Sequence, residues 1–88
     1  MHDAKTWSIE LFLDEEDGCT HARAELRGRD AHLTGRGLAR CRPGDADVPE
    51  IGDELAVARA LADLSRQLID ASIVDIGAAT HRTEAINA

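Results

Sequence analysis

Between Cys19 and Arg42 the chain passes through two period-two segments, and one face of both is nearly bare of bulk. In the first, Thr20, Ala22, Ala24 and Leu26 fall on one side, and His21, Arg23, Glu25 and Arg27 on the other. In the second, His32 to Arg42, the bare side carries Gly35, Gly37, Ala39 and Cys41. Its other side carries Thr34, Arg36, Leu38, Arg40 and Arg42. Successive strand residues point to opposite faces, so this alternation reads as two half-buried strands. A face so shallow needs an element pressed close against it. A helix answers that need, and the small residues leave room for its large ones.

A further alternating segment precedes these two. Over Lys5 to Leu13 the side chains of Trp7, Ile9, Leu11 and Leu13 share one face, with Thr6, Ser8, Glu10 and Phe12 opposite. Trp7 is the expected core anchor. Asp14-Glu15-Glu16-Asp17-Gly18 reads as the loop that follows, and Gly28-Arg29-Asp30-Ala31 as the second turn. Pairing Leu11 with Ala22 places Trp7 opposite Leu26, and pairing Ala22 with Ala39 places Ala24 opposite Gly37. The same register sets Glu10 beside Arg23 and Glu25 beside Arg36, opposite charges on neighbouring strands.

Pro43-Gly44-Asp45 ends the sheet and a short acidic connection follows. Pro49 suits the first turn of a helix, where its missing N–H is no loss. Glu50, Asp53 and Glu54 favour a helix N-terminus. The spacing predicts a helix to about Asp75, ended by Gly77, with residues 77–88 a loose tail. Its main apolar stripe is Ile51, Leu55, Ala58, Ala62, Ser65, Ile69, Ser72 and Ile76. Arg59, Asp63, Arg66, Gln67 and Asp70 lie opposite. The fold class is therefore α+β: a three-stranded antiparallel meander with one long C-terminal helix on one face, a single domain over residues 5–76.

Eighty-eight residues suffice for one domain and one compact core. Trp7 and Phe12 are the only aromatic residues apart from histidine, so that core must be aliphatic. The N-terminus lacks the apolar stretch of a signal peptide, and no apolar run approaches the length of a membrane span. Two cysteines, Cys19 and Cys41, are too few for a disulfide scaffold. The expected setting is the cytoplasm, with both thiols reduced and no membrane partner.

The lysine-tryptophan start, the strand GRGLARCRP and the helix VPEIGDELAVARALADLSRQLID resemble a small actinobacterial family described as dsRBD-fold-containing, with no assigned function. The resemblance covers about Lys5 to Ile76. It implies a fold like the double-stranded-RNA-binding domain, a three-stranded sheet with helix packing on one face. It brings no catalytic or binding residues that transfer to this chain. Domains of that kind grip duplex RNA with a first helix, the loop between strands one and two, and lysines at the start of the last helix. Here only four residues precede strand one, so the first helix is missing. The loop is Asp14-Glu15-Glu16-Asp17, and the helix start carries Asp47, Glu50, Asp53 and Glu54 without a lysine. With a net charge of −7 as well, duplex RNA is not an expected partner in that mode.

Two surfaces remain as candidates. Arg23, Arg36, Arg40 and Arg42, with Arg27 and His21, line the outer sheet face beside Phe12 and Leu38. Such a stripe can hold phosphate or carboxylate. The stronger reading is the solvated or protein-contact face of a half-buried sheet, since Glu10 and Glu25 are placed to neutralise two of the arginines. The helix carries a second apolar stripe, Val57, Leu61, Leu64 and Leu68, which either packs at the sheet margin or forms an interface with an identical chain or another protein. Cys19 and His21 are two ligands on one face, short of a metal site, and Cys41 points to the other face. No glycine pattern makes a phosphate loop, and no serine or histidine has a nucleophile's neighbours. The expectation is a non-enzymatic interaction module without cofactor or metal, self-associating or bound to a protein partner. The alternative is an acidic protein that binds nucleic acid or another anion through the arginine face.

Overall fold

The computed structural model describes residues 4–40 and 49–87. Three strands form one antiparallel sheet in the order β1-β2-β3: β1 Ser8–Glu16, β2 Cys19–Arg27 and β3 His32–Arg40. One helix, α1, spans Pro49–Asn87. The α+β meander read from the sequence is the fold, and β2 has the expected bounds. Arg42, Cys41 and the acidic connection before Pro49 lie outside the described residues.

β1 sits three residues further along the chain than expected. The acidic run Asp14-Glu15-Glu16 is strand, and the turn contracts to Asp17-Gly18. Both residues hold positive φ, 52° and 73°. This is the two-residue hairpin geometry whose twist suits the flanking strands, and Asp-Gly is a preferred pair for it. The longer hairpin moves the register by two residues. Leu13 lies opposite Ala22, Leu11 opposite Ala24 and Ile9 opposite Leu26. On the other side Ala22 faces Gly37 and Ala24 faces Gly35. A shift of two leaves every side chain on its expected face. It does change the neighbours: Glu10 faces Glu25, and Arg23 faces Arg36. The charges are met along β2 instead, where Glu25 lies 3.2 Å from both Arg23 Nε and Arg27 Nη2.

The helix meets the bare face with two alanines and one large residue, Leu64. The buried core is Ala22, Ala24, Leu26 and Ala39 from the sheet, and Ala56, Ala60 and Leu64 from the helix. The approach is so close that a Cβ on Gly35 would reach within 2.8 Å of the Leu64 backbone nitrogen and Cβ, and would run into the Ala60 carbonyl. On Gly37 it would run into the Ala56 carbonyl and the Ala60 amide. Small residues on the sheet thus select two small residues on the helix, Ala56 and Ala60. The expected main stripe is corrected accordingly: Ile51, Leu55, Ala58, Ala62, Ser65, Ile69, Ser72 and Ile76 are exposed.

Two further expectations change. Trp7 is not the core anchor. It precedes β1, is 52% exposed and lies against Gly28. The helix covers β2 and β3 and leaves β1 open, so all nine β1 residues are exposed. Nor does the helix stop at Gly77; it continues to Asn87. A lone glycine weakens a helix by about 1 kcal/mol relative to alanine, too little to end it by itself. Thirty-nine helical residues span roughly 58 Å, whereas a nine-residue strand spans about 30 Å. Residues 69–80 are exposed, beyond the buried part of the helix. The radius of gyration is 18.5 Å, against about 12 Å for a compact chain of this length.

Candidate functional site

The two edges of the sheet differ in what meets them. On β3, the Arg36 backbone N–H donates to Asp63 Oδ2 at 2.9 Å. Arg59 Nη1 donates to the Leu38 carbonyl at 2.6 Å, and Gln67 Nε2 donates to the Thr34 carbonyl at 2.7 Å. The geometry follows from the two repeats. Four helical residues advance about 6 Å and two strand residues about 6.8 Å. Arg59, Asp63 and Gln67 therefore step along the helix in near phase with Leu38, Arg36 and Thr34. The sequence places these three on the polar side of the helix; the structure makes them a clamp over the β3 edge. Their spacing of four, one place before Ala60, Leu64 and Leu68, is the signal that the stripe reading passed over.

Asp63 holds the clamp together. It also accepts from Arg66 Nη2 at 2.6 Å and from Gln67 Nε2 at 3.2 Å. Its carboxyl is held below its ordinary value of 3.8, first by the hydrogen bond from the Arg36 amide, then by the Arg66 charge and the side-chain bonds; desolvation opposes the shift. Hydrogen bonds to the ionised form favour that form.

The β1 edge has no such cover. In a two-residue hairpin the residues flanking the turn exchange both backbone hydrogen bonds. From Glu16 and Cys19 the alternation runs back along β1, so Ser8, Glu10, Phe12, Asp14 and Glu16 bond to β2. The backbone groups of Ile9, Leu11, Leu13 and Glu15 point away from the sheet. Carried across β2, the same alternation turns Thr34, Arg36 and Leu38 outward on β3, where the clamp meets them. No described residue meets the outward groups of β1.

The side chains of Ile9, Leu11 and Leu13 lie on the helix side of the sheet, since they stand opposite Leu26, Ala24 and Ala22. All three are exposed, as is Leu61. The expected second stripe of the helix divides here. Leu64 is 2% exposed and belongs to the core, which removes it from any interface; Val57 and Leu68 pack partly against it. Leu61 is the exposed member.

On the outer face, Phe12, Arg23 and Arg36 form a row across the three strands. The Arg23 guanidinium sits 4.5 Å from the Phe12 ring centroid. Arg23 Nε lies near Glu25 but out of line for a hydrogen bond and has no other acceptor. A shallow cleft of about 180 Å³ runs over Phe12, Asp14, His21, Arg23 and Arg36. Arg40 lies two rows further on, opposite Cys19 and beyond the row of Asp14, His21 and Leu38. Arg36 and Arg40 have no ion-pair partner among the described residues. The acidic residues gather at the hairpin end, Asp14 to Asp17, near the helix start, where Gly52 lies against Thr20. Lys5, Arg27 and Arg29 gather with Trp7 at the opposite end. Among the described residues no three His, Cys, Asp or Glu side chains come together as metal ligands. Among the described residues no helix is long and apolar enough to cross a membrane.

These features define a small α+β domain: a single sheet under one overhanging helix, clamped at one edge and open at the other. The chain belongs to the Rv2632c-like family, whose model matches residues 5–85. It is 49% identical over 81 residues to the uncharacterized protein Mb1767 of Mycobacterium bovis, covering 92% of this chain and 86% of that one. The uncharacterized protein Rv2632c of Mycobacterium tuberculosis is 46% identical over 81 residues, covering 92% and 87%. The crystal structure of Rv2632c superposes with a TM-score of 0.84 at 46% identity, over 91% of this chain and 95% of that one. The small actinobacterial family read from the sequence is thus the family of this chain, and its relatives carry no assigned function.

Proposed function

We propose that this chain is a cytoplasmic, non-enzymatic interaction module that works by associating with itself, on a dsRBD-like fold without the first helix. One observation carries the reading. Of the large apolar side chains among the described residues, Leu26 and Leu64 are buried, while twelve are exposed: Trp7, Ile9, Leu11, Phe12, Leu13, Ile51, Leu55, Leu61, Ile69, Ile73, Val74 and Ile76. Single exposed apolar residues are ordinary, whereas contiguous ones mark interaction surfaces. A core that is five-sevenths alanine gives a lone chain little apolar burial to hold it folded. Sedimentation equilibrium of the full chain tests the reading. The expected result is a dimer at micromolar concentration; the single-chain mass at every concentration overturns it.

The row Phe12, Arg23 and Arg36 favours a second reading, an anion or single-stranded nucleic acid held on the outer face. Two guanidinium groups directly opposite each other beside an aromatic ring suit phosphate and base stacking. Glu25 and Asp14 and the net charge of −7 oppose it. Fluorescence anisotropy with single-stranded and duplex probes separates the two. Micromolar binding at physiological salt, abolished by Arg23→Glu with Arg36→Glu, would establish the second reading. Its absence is the expected outcome, for duplex RNA as well.

A further inference from the structure

We propose that two copies of this chain join through the open edges of their β1 strands, antiparallel about a two-fold axis at Leu11, to form one six-stranded sheet. The proposal rests on the self-association reading and names its surface. Strand addition needs a row of unpaired backbone groups, and exposed edges are where such pairing occurs. The sheet has two edges. The clamp of Arg59, Asp63 and Gln67 takes one outward group on each of Leu38, Arg36 and Thr34 and lies across the β3 edge, whereas the outward groups of Ile9, Leu11, Leu13 and Glu15 on β1 have no partner among the described residues. One blocked edge and one open edge allow a closed pair and forbid a growing ribbon.

The side chains of β1 select the occupant and the register. Pairing two β1 edges requires outward residues to face outward residues, which leaves three symmetric registers near the strand centre. One centred on Glu10 sets Glu10 against the partner's Glu10. One centred on Phe12 sets Glu10 against the partner's Asp14 and Ile9 against the partner's Glu15. Like charges directly opposite destabilise a sheet. Centring on Leu11 avoids each of these. Leu11 then meets the partner's Leu11, Ile9 meets the partner's Leu13, Glu10 meets the partner's Phe12, and Ser8 meets the partner's Asp14. About six backbone hydrogen bonds form over this core.

The charges at the strand ends agree. Lys5, Arg27 and Arg29, with Asp30 as the one acid among them, stand at one end of the β1–β2 hairpin and Asp14 to Asp17 at the other. An antiparallel pair lays the basic end of each chain against the acidic end of its partner, with Lys5 beside the partner's Glu16 and Asp17. On the helix side, the apolar rows of Ile9, Leu11 and Leu13 become continuous across the axis, with both helices on that same face.

Cysteine cross-linking reads the register directly. In the Leu11-centred pair Glu10 and the partner's Phe12 are a non-hydrogen-bonded pair, with Cα atoms about 4.5 Å apart, within reach of a disulfide. In a Cys19→Ser, Cys41→Ser background, Glu10→Cys and Phe12→Cys are made separately, one with a mass tag. Each is oxidised under air with a copper catalyst, alone and mixed, and read on a non-reducing gel. Sedimentation of the same samples before oxidation gives their mass, and circular dichroism checks that both variants fold. The expected result is a cross-link in the mixture and in neither variant alone. A cross-link in Glu10→Cys alone or Phe12→Cys alone overturns the register. Dimer mass without any cross-link overturns pairing through β1 and leaves self-association standing. Monomer mass without a cross-link overturns both, and leaves the β1 edge to a strand of a different protein.

Discussion

The Asp63 carboxylate accepts the backbone N–H of Arg36 at 2.9 Å, across 27 residues of chain. A strand edge is thereby closed by a side chain from the helix packed above it. Arg59 and Gln67 repeat the arrangement one helical turn to either side. The helix thus caps a sheet edge as well as covering a face.

The charge on Asp63 gives the clamp a pH dependence. Its folded value is depressed below 3.8, so its contribution is complete above that value and is lost as pH falls through the lower folded value. Asp63→Asn keeps an acceptor for the Arg36 amide and removes the charge. Urea midpoints should show the variant less stable than the parent at pH 7, with the difference closing below pH 3.8.

The two strand glycines set how near the helix can come. Gly35→Ala or Gly37→Ala would push the helix off the sheet, because the obstruction includes helix backbone as well as side chains. The expected loss is about 3 kcal/mol, the upper part of the range for overpacked cores. Denaturant unfolding measures it. Gly18→Ala meets no atom within 4 Å but must adopt φ near 73°, a strain of about 1–2 kcal/mol. It should be the milder change.

Gly77 lies inside the overhanging helix with nothing within 4 Å of a Cβ. Gly77→Ala should stabilise that stretch by about 1 kcal/mol through backbone entropy and helix propensity. Circular dichroism should show a higher helix signal and a later thermal loss. An unchanged signal would mean that the stretch is held by something other than its own propensity.

Leu64 and Trp7 reverse the order that the sequence suggests. Leu64→Ala should cost about 2–5 kcal/mol, as a large side chain lost from a packed core. Trp7→Ala should cost well under that, since the residue is already about half exposed to water. Urea denaturation of the two variants at the same protein concentration settles the order.

The alternation of β2 and the shallow face of β3 were legible because period two survives any even shift of register. The register itself was not. Asp14-Glu15-Glu16 looks like a loop by composition, and only the conformation of Asp17-Gly18 shows that the strands run up to it. The helix stripe is hidden in the sequence because bulk does not mark burial here. Against Gly35 and Gly37 the buried residues are Ala56, Ala60 and Leu64, and the bulk of Ile51, Leu55 and Ile69 is left outside. The outer-face residues Arg23 and Arg36 fell on the expected face, while their neighbours changed with the register. The clamp was written in the spacing of Arg59, Asp63 and Gln67, yet polar residues on a helix carry no mark that separates an edge cap from a solvated flank.

Opening the clamped edge should alter assembly size. In Arg59→Ala with Gln67→Ala the outward carbonyls of Leu38 and Thr34 lose their donors. If copies pair through β1, the double variant then has two usable edges and should form species larger than a dimer in sedimentation velocity. A distribution identical to that of the parent would show that Asp63 alone suffices to block β3.

The clamp comes from the C-terminal helix, and this sets an order of events at the ribosome. Both hairpins are complete once Arg40 has emerged, since each turn joins neighbouring strands. The helix residues that close the β3 edge lie 19 to 27 positions further along the chain and emerge after it, at about 5–20 residues per second. For a second or more the nascent sheet has a bare strand on each side and no lid over its alanines and glycines. Until Arg59, Asp63 and Gln67 arrive, the outward groups of Leu38, Arg36 and Thr34 have only water to meet them.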